Sequence, residues 1–550
     1  VSKMVLDNRF LLCWVSFVLA SVFSPDAHLS YLSKTLLKVA FYSGAFFYAL
    51  YTLLSFLPTR LSNLIKNTIV VLSLLAAFLR FFMGYVFNMD INQALIETLL
   101  GTNVQEVHSF LIVHVLSHSL LILGVGSACV LFLVFVRFKW SLSPKLHALF
   151  LGVFVLGVVA HMGRTAYLFH QRGAVGWAPP EIWDTLPLTK EARAIYFGVG
   201  SDAQAVHTSL NKPYPKDYLS VDRDSVDNVV LIVGESASRN FMGVYSYSVP
   251  NTPFFSGLAE RERSQNLFVF DDVISAAAST YGAFQTLLNY SDYENRATAW
   301  YEQKNLGDIF KRAGYKTFWL DNQNQARTSN AYELLPRRFE KIFWTPSWST
   351  GDQVLVDVFK KRVLPYLGTK NVVAFHLIGS HVLYKERFPK SFAKFTPAQI
   401  PYQGLHVKNE ADKQIVADYV NSLYYTDHVL EGIFKLFEDK DAVIVYLSDH
   451  AQDIFESNDT YGHRCSAYGV EIPFVIYVTD TFKQKHPKKV QQLAQAVHKP
   501  FMSDDLIHTL LPLAGIHTKD NLESRDLLSP RFDTTRKRVY CGNMPYEKKP

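Results

Sequence analysis

Five apolar runs crowd the first 165 residues, at about 10–23, 36–57, 68–87, 111–135 and 146–163. Most approach the roughly 20 residues that a helix needs to cross a bilayer, so the chain is expected to begin as a membrane domain. Lys3 and Arg9 precede the first run, Arg60 and Lys66 separate the second from the third, and Arg137, Lys139 and Lys145 separate the fourth from the fifth. Those three sets belong on one side, which the positive-inside rule makes the cytoplasm. The first run is short enough to be mistaken for a secretory signal, but its removal would leave the topology unchanged. An odd number of crossings sends everything after Gly163 outward, which in a bacterium means the periplasm or the outer surface.

The loop 88–110 lies on the outer side and carries Asp90, Glu97 and Glu106 but no Lys or Arg. Within it Thr98, Thr102 and Glu106 recur every fourth residue and on a helix would line one face. Such a polar ladder at headgroup level suits a lipid ammonium group; the alternative is the solvated face of a re-entrant or interfacial helix. Arg80, near the outer end of the third run, is expected to snorkel to headgroups. Residues 166–224 read as a linker with one helix along the membrane surface.

The remainder has ordinary globular composition, and 550 residues with 49% hydrophobic side chains imply more than one domain. A net charge of +6 with basic clusters at 360–362, 483–489 and 536–538 suits a surface near anionic lipid. No nucleic-acid partner is expected. Four cysteines define no disulfide framework; Cys465 and Cys541 fit a bridge in an exported domain and two unpaired thiols equally well.

From residue 225 onward strands and helices alternate. Strands are expected at 229–233, 267–270, 317–320, 372–377, 443–447 and 474–478, with helices at 305–313, 354–363 and 411–437 between them. This is the signature of an α/β domain, a mostly parallel sheet covered by helices on both faces. The run VVLIV at 229–233 stops at Gly234-Glu235, and VIVYL at 443–447 stops at Ser448-Asp449-His450. In open α/β sheets ligands bind beyond the carboxyl ends of the strands. Two carboxylates and an imidazole delivered there make a plausible divalent metal site, although a carboxylate after a strand is as often a helix cap. Asp321-Asn322 and Ser380-His381 end two more expected strands. In SAAASTYGAFQTLLNY, 275–290, Ser279 or Thr280 opens a helical pattern whose positive end suits an alkoxide or a phosphate, or an ordinary N-cap.

Five apolar runs, GES at 234–236, a small-residue stretch ending in Thr280, GSH at 379–381, SDH at 448–450 and YGH at 461–463 together resemble the bacterial phosphoethanolamine transferases. These are inner-membrane enzymes with a sulfatase-like periplasmic domain of the alkaline-phosphatase superfamily. The resemblance implies domains at 1–165 (five transmembrane helices), 166–224 (linker) and 225–550 (catalytic). It also implies one tight Zn2+ site made by Glu235, Thr280, Asp449 and His450, with a second zinc as an open alternative. Thr280 would be the nucleophile, and His381 and His463 would hold the transferred group or a second zinc and move protons. Thr102 and Glu106 match positions that contact the donor lipid, whereas Thr98 stands where relatives usually carry Asn.

The implied reaction moves phosphoethanolamine from phosphatidylethanolamine, through a covalent Thr280 intermediate, to lipopolysaccharide or lipid A; the protein would act as a monomer. Lipid A relatives flank the nucleophile with a disulfide, and Ala276 and Thr286 occupy those places here, which shifts weight toward a core-sugar acceptor such as heptose or Kdo. Ala451-Gln452-Asp453 also replaces the usual Gly-Glu-Ser. A glycerol-phosphate transferase or sulfatase on the same scaffold and a non-catalytic envelope-binding protein are the alternatives. A transporter is disfavoured because the five runs show no broken helices or inverted repeats.

Overall fold

The computed structural model describes residues 4–23, 32–92, 95–96, 99–100, 102, 104–171, 186–199, 203–260, 266–295, 297–323, 330–345 and 351–548. These form two compact units, one of residues 1–100 with 110–201 and the other of residues 101–109 with 202–550.

The first unit is helical. Asp7 caps α1 (Asn8–Ala20) by accepting from the backbone of Arg9 and Phe10. Then come α2 (Leu32–Leu54), α3 (Thr59–Phe82, continued by a π-turn to Phe87), α4 (Val104–Phe110, which belongs to the second unit up to residue 109), α5 (Ser119–Phe135) and α6 (Pro144–Gln171). Three helical stretches, Leu36–Leu54, Thr59–Phe87 and Pro144–Thr165, are long and apolar enough to cross a bilayer. A fourth qualifies only as a pair, Val107–Leu116 with Ser119–Phe135, bent by 67°. The first expected crossing is the short apolar helix Asn8–Phe23, so the described residues give three to four spans by length and composition where five were expected.

Phe10, Phe17, Phe47 and Tyr51 pack the interior of this unit, while α6 leaves Leu149, Val153, Leu156 and Val159 exposed, as a lipid-facing surface would. Tyr42 and Tyr48 of α2 hydrogen-bond Nδ1 of His161 and His147 on α6, at 2.6 and 2.7 Å. Arg80 does not snorkel: its guanidinium forms a two-point pair with Glu191, on a helix at Thr189–Val199. A paired charge avoids the desolvation cost that snorkelling would otherwise relieve.

The second unit is built on a seven-stranded sheet. Its strands are β1 (Asn228–Gly234), β2 (Leu267–Phe270), β3 (Lys316–Asp321), β4 (Lys341–Trp344), β5 (Asn371–His376), β6 (Ala442–Ser448) and β7 (Phe474–Val478). The order is β2-β7-β6-β1-β5-β3-β4, with only β7 running against the others. Every expected strand forms within one residue of its expected limits; β4, a half-exposed edge strand, is the addition. All seven residues of β1 and of β6 are buried, so both faces of the sheet centre are covered, as their unbroken apolar runs require. The expected helices also form, at Leu306–Arg312, at Gln353–Val358 running into a π-turn to Val363, and at Glu410–Lys435.

Candidate active site

Strands β5, β1 and β6 are sheet neighbours and parallel, so their carboxyl ends open side by side. Register places Ser448 opposite Gly234 and Val233 opposite His376, and the N–H of Asp449 donates to Gly234 O at 3.0 Å. Glu235, Asp449 and His450 therefore emerge together, and all three are buried.

Thr280 joins them from helix α7 (Thr280–Leu287). Ser279 caps that helix by accepting from Gly282 N–H, which leaves Thr280 in the first turn and frees its own hydroxyl for the site. Thr280 Oγ1 donates to Glu235 Oε2 at 2.9 Å and lies 3.3 Å from His450 Nε2. His450 Nε2 is 3.1 Å from Glu235 Oε1 and 3.6 Å from Asp449 Oδ2.

Glu235, Asp449 and His450 each place one ligand atom within 4.8 Å of the others, and Glu235, His381 and His463 form a second such group. The rings of His381 and His463 stand 5.8 Å apart, and those of His450 and His463 4.7 Å apart.

Two observations fit this cluster to a cation. Asp449 Oδ2 is buried and has no hydrogen-bond partner among the described residues, while Oδ1 accepts from the N–H of His450 at 2.7 Å. An ionised oxygen left so in the interior is costly unless a positive charge meets it. His450 Nδ1 lies 2.8 Å from Ala451 O; as the donor there it leaves Nε2 with a lone pair directed at the carboxylates. Three oxygens and one imidazole nitrogen suit tetrahedral zinc.

The buried carboxylates and imidazoles also shift one another's titration, so that a cation entering the cluster would displace the His450 proton. Burial and the Glu235 carboxylate push Asp449 up to about 7. Burial opposes the charging of His450, but Asp449 and Glu235 raise it to about 9. Burial would also raise Glu235, yet His450, His381 and His463 hold it well below the usual carboxylate range. Burial pushes His381 down to about 4, which keeps it neutral near pH 7.

The supporting shell contains residues that motif reading passed over. Gln323 donates to Glu235 Oε2 at 3.1 Å and to Leu377 O at 2.8 Å, and is held by Tyr332. Ser236, at a left-handed φ of 62°, donates to Glu235 Oε1 at 2.6 Å and accepts from Gln452 at 2.7 Å. The GSH loop is fixed by Asp352, which accepts from the N–H groups of Ile378 and Gly379, both at 2.9 Å.

Asp321 stays outside the cluster: it binds Trp319 Nε1, Gln323 N–H and His376 Nδ1. Asn322 binds Asp352. The expected ladder of Thr98, Thr102 and Glu106 falls partly outside the described residues. Thr102 precedes α4, which contains Glu106, and Thr98 lies outside the described residues. Cys465 and Cys541 are bonded to each other, which decides between the two readings of the sequence.

Comparison with known proteins places these features. The sulfatase family model matches residues 227–516, more than half of the chain, and the model for phosphoethanolamine transferase EptA/EptB matches residues 46–174. Phosphoethanolamine transferase EptC of Escherichia coli O18:K1:H7 is 30% identical over 339 residues, 58% of this chain and 56% of that protein, so the chain spans little more than half the length of that curated relative. The zinc complex of the C-terminal periplasmic domain of EptC from Escherichia coli superposes with a TM-score of 0.56 at 25% identity, covering 61% of this chain and 96% of that one. Lipooligosaccharide phosphoethanolamine transferase A from Neisseria meningitidis shares the fold over 94% of this chain and 97% of its own, with a TM-score of 0.63 at 20% identity. The chain thus belongs to the sulfatase family, in the branch whose members join that domain to the N-terminal region of the phosphoethanolamine transferases.

Proposed function

We propose that this protein is a zinc-dependent phosphoethanolamine transferase of the bacterial inner membrane, with domains at 1–165, 166–224 and 225–550 and its catalytic domain in the periplasm. Phosphatidylethanolamine is the donor and a lipopolysaccharide core sugar or lipid A the acceptor. The observation that carries this reading is the placement of Thr280 Oγ1, 2.9 Å from Glu235 Oε2 and 3.3 Å from His450 Nε2, in one cluster with Asp449 Oδ2, which accepts no hydrogen bond among the described residues.

Glu235, Thr280, Asp449 and His450 would hold the zinc, which when bound lowers the pKa of a coordinated hydroxyl and neutralises phosphate charge. Thr280 already directs its proton at Glu235, so an Oγ1 lone pair is available to phosphorus. The new Oγ1–P bond forms as the bond from phosphorus to the diacylglycerol oxygen breaks; Glu235 takes the Thr280 proton, and the leaving oxygen takes a proton from His463 in its imidazolium form, with neutral His381 as a hydrogen-bond partner of the phosphoryl group. The phosphoethanolamine on Thr280 then passes to an acceptor hydroxyl, which gives its proton to the same imidazole while the departing Thr280 Oγ1 recovers its own proton from Glu235. Phosphoryl transfer needs positioning and charge neutralisation above all, and the two histidines beside Glu235 are placed to supply both. Thr102 and Glu106 serve as donor-lipid contacts in this reading, and Thr98 as a third.

The test is diacylglycerol release from phosphatidylethanolamine with phosphoethanolamine trapped on the protein by mass spectrometry. Wild type should carry the adduct on Thr280, and Thr280→Ala should lose both adduct and turnover. Full activity in Thr280→Ala would overturn the assignment. Mass spectrometry of lipopolysaccharide from cells with and without the protein names the acceptor.

A further inference from the structure

A small hairpin, Val539–Tyr540 paired with Met544–Pro545, grips two stretches that converge on the site from distant parts of the sequence. One is the approach to Thr280, residues 272–279. The other, residues 461–471, carries His463. At the start of the first, Arg538 pairs with Asp272, Nη1 to Oδ1 at 2.7 Å and Nη2 to Oδ2 at 3.1 Å. Further along, the N–H of Cys541 donates to Ala276 O at 3.2 Å.

The side chain of Cys541 is bonded to Cys465, two residues beyond His463 and 76 residues away in sequence. Tyr546 closes the far end, donating to Glu471 Oε1 at 2.8 Å and accepting from Arg239 at 3.2 Å. The two stretches also touch directly, through Ser275 N–H to Val470 O at 2.8 Å.

We infer that the hairpin, closed by the Cys465–Cys541 bond, is a positioning strap that fixes the His463 loop against the Thr280 approach during phosphoryl transfer. The inference rests on the reading of Thr280 as nucleophile given above. His463 needs such help. Its loop is held by hydrogen bonds: a two-residue ladder, Asp453–Ile454 with Tyr461–Gly462, in which Gly462 is left-handed at φ 111°, and bonds from Ser466 Oγ to Asp453 Oδ2 at 2.6 Å and from Ala451 N–H to Gly469 O at 3.0 Å. Hydrogen bonds can open one at a time, whereas a covalent link removes most of the loop's freedom to drift from the rest of the unit.

An imidazole that exchanges protons with a leaving oxygen works only within hydrogen-bond reach, and a misplacement of about 1 Å costs about a hundredfold in rate. Arg538, Cys541, Cys465 and Tyr546 are positioning residues in this scheme, because they act through the loops they hold.

The test uses the full chain in detergent micelles containing phosphatidylethanolamine. Cys465→Ser, Cys541→Ser and the double variant are compared with wild type in diacylglycerol release, zinc per chain and amide hydrogen exchange. Each variant should lower kcat by about tenfold or more with KM changed less than about twofold, as expected for misplaced acid–base groups. The double variant should equal the singles, since one bond is removed in every case. Zinc content should not change. Exchange should rise at 461–466 and 273–280 while β1 and β6 stay protected.

A double variant within about twofold of wild-type kcat overturns the strap, as does loss of protection spread evenly over the sheet. If wild type itself releases no diacylglycerol, the transferase reading fails, and exchange then decides alone. Loosening confined to the two stretches supports the strap, and unchanged protection refutes it.

Discussion

Replacing Asp449 by Asn separates the metal account from a purely structural one, because it drives zinc affinity and metal-free stability in opposite directions. The substitution is isosteric. Asn Oδ1 can still accept from His450 N–H, so the loop after β6 keeps its anchor. What changes is the second oxygen, which accepts no hydrogen bond among the described residues. One carboxylate charge at 4 Å from a unit charge is worth about 4 kcal/mol at an effective dielectric of 20. Water filling the vacated position recovers part, so zinc affinity should fall by about a hundredfold, or about 3 kcal/mol.

Without metal the sign reverses. Burial and Glu235 raise Asp449 from 3.8 to about 7, so the folded state loses stability as pH climbs between those values. At pH 8 the ionised group costs the apo-protein about 4 kcal/mol, at 1.4 kcal/mol per decade. His450, charged up to about 9, returns part of it. Metal-free Asp449→Asn should therefore be more stable than metal-free wild type by about 2 kcal/mol at pH 8, with the difference vanishing below pH 4. Chelator competition measures the affinity, and thermal or denaturant unfolding of the zinc-stripped proteins measures the rest. Unchanged zinc affinity, or an apo variant less stable than apo wild type at pH 8, would refute the reasoning.

Gly379→Ala should disrupt the site from the backbone. Gly379 has φ 47°, and an added Cβ would stand 2.6 Å from Glu235 O, so unfolding free energy should fall by ~2 kcal/mol or more, with zinc lost in parallel. Gln323→Leu removes the donor to Glu235 Oε2 while keeping volume; zinc affinity should drop about tenfold with unfolding cooperativity intact.

The central strands were legible because burial leaves them no alternative. β1 and β6 are apolar at nearly every position between sharp polar stops, so both their limits and their polar ends could be read directly. β4 was not, since KIFW at 341–344 is a four-residue edge strand with half-exposed side chains and no alternation. The metal cluster followed from the same logic, each ligand of the strand loops lying within the first three polar residues after a buried run.

Its supporting shell did not. Gln323 reaches Glu235, and Gln452 reaches Ser236, only through the sheet order, which no spacing reveals. His376, embedded in VVAFHLIG, was visible as an imidazole inside a buried run, but its partner Asp321 required knowing that β3 lies next to β5. The apolar helices of the first unit were legible from composition, whereas the bend between Leu116 and Ser119, and the pairing of Arg80 with Glu191, depend on neighbours outside any sequence window.

The parallel alignment of β5, β1 and β6 acts as a ruler for the chemistry. Sliding either outer strand by one residue would carry its loop about 3.3 Å along the axis and turn the donor to the opposite face. No intermediate setting exists. Variation in what the protein accepts must then arise in the loops that rise above those strands, while the separation of Glu235, Asp449 and His450 is inherited unchanged from the hydrogen-bond ladder beneath them.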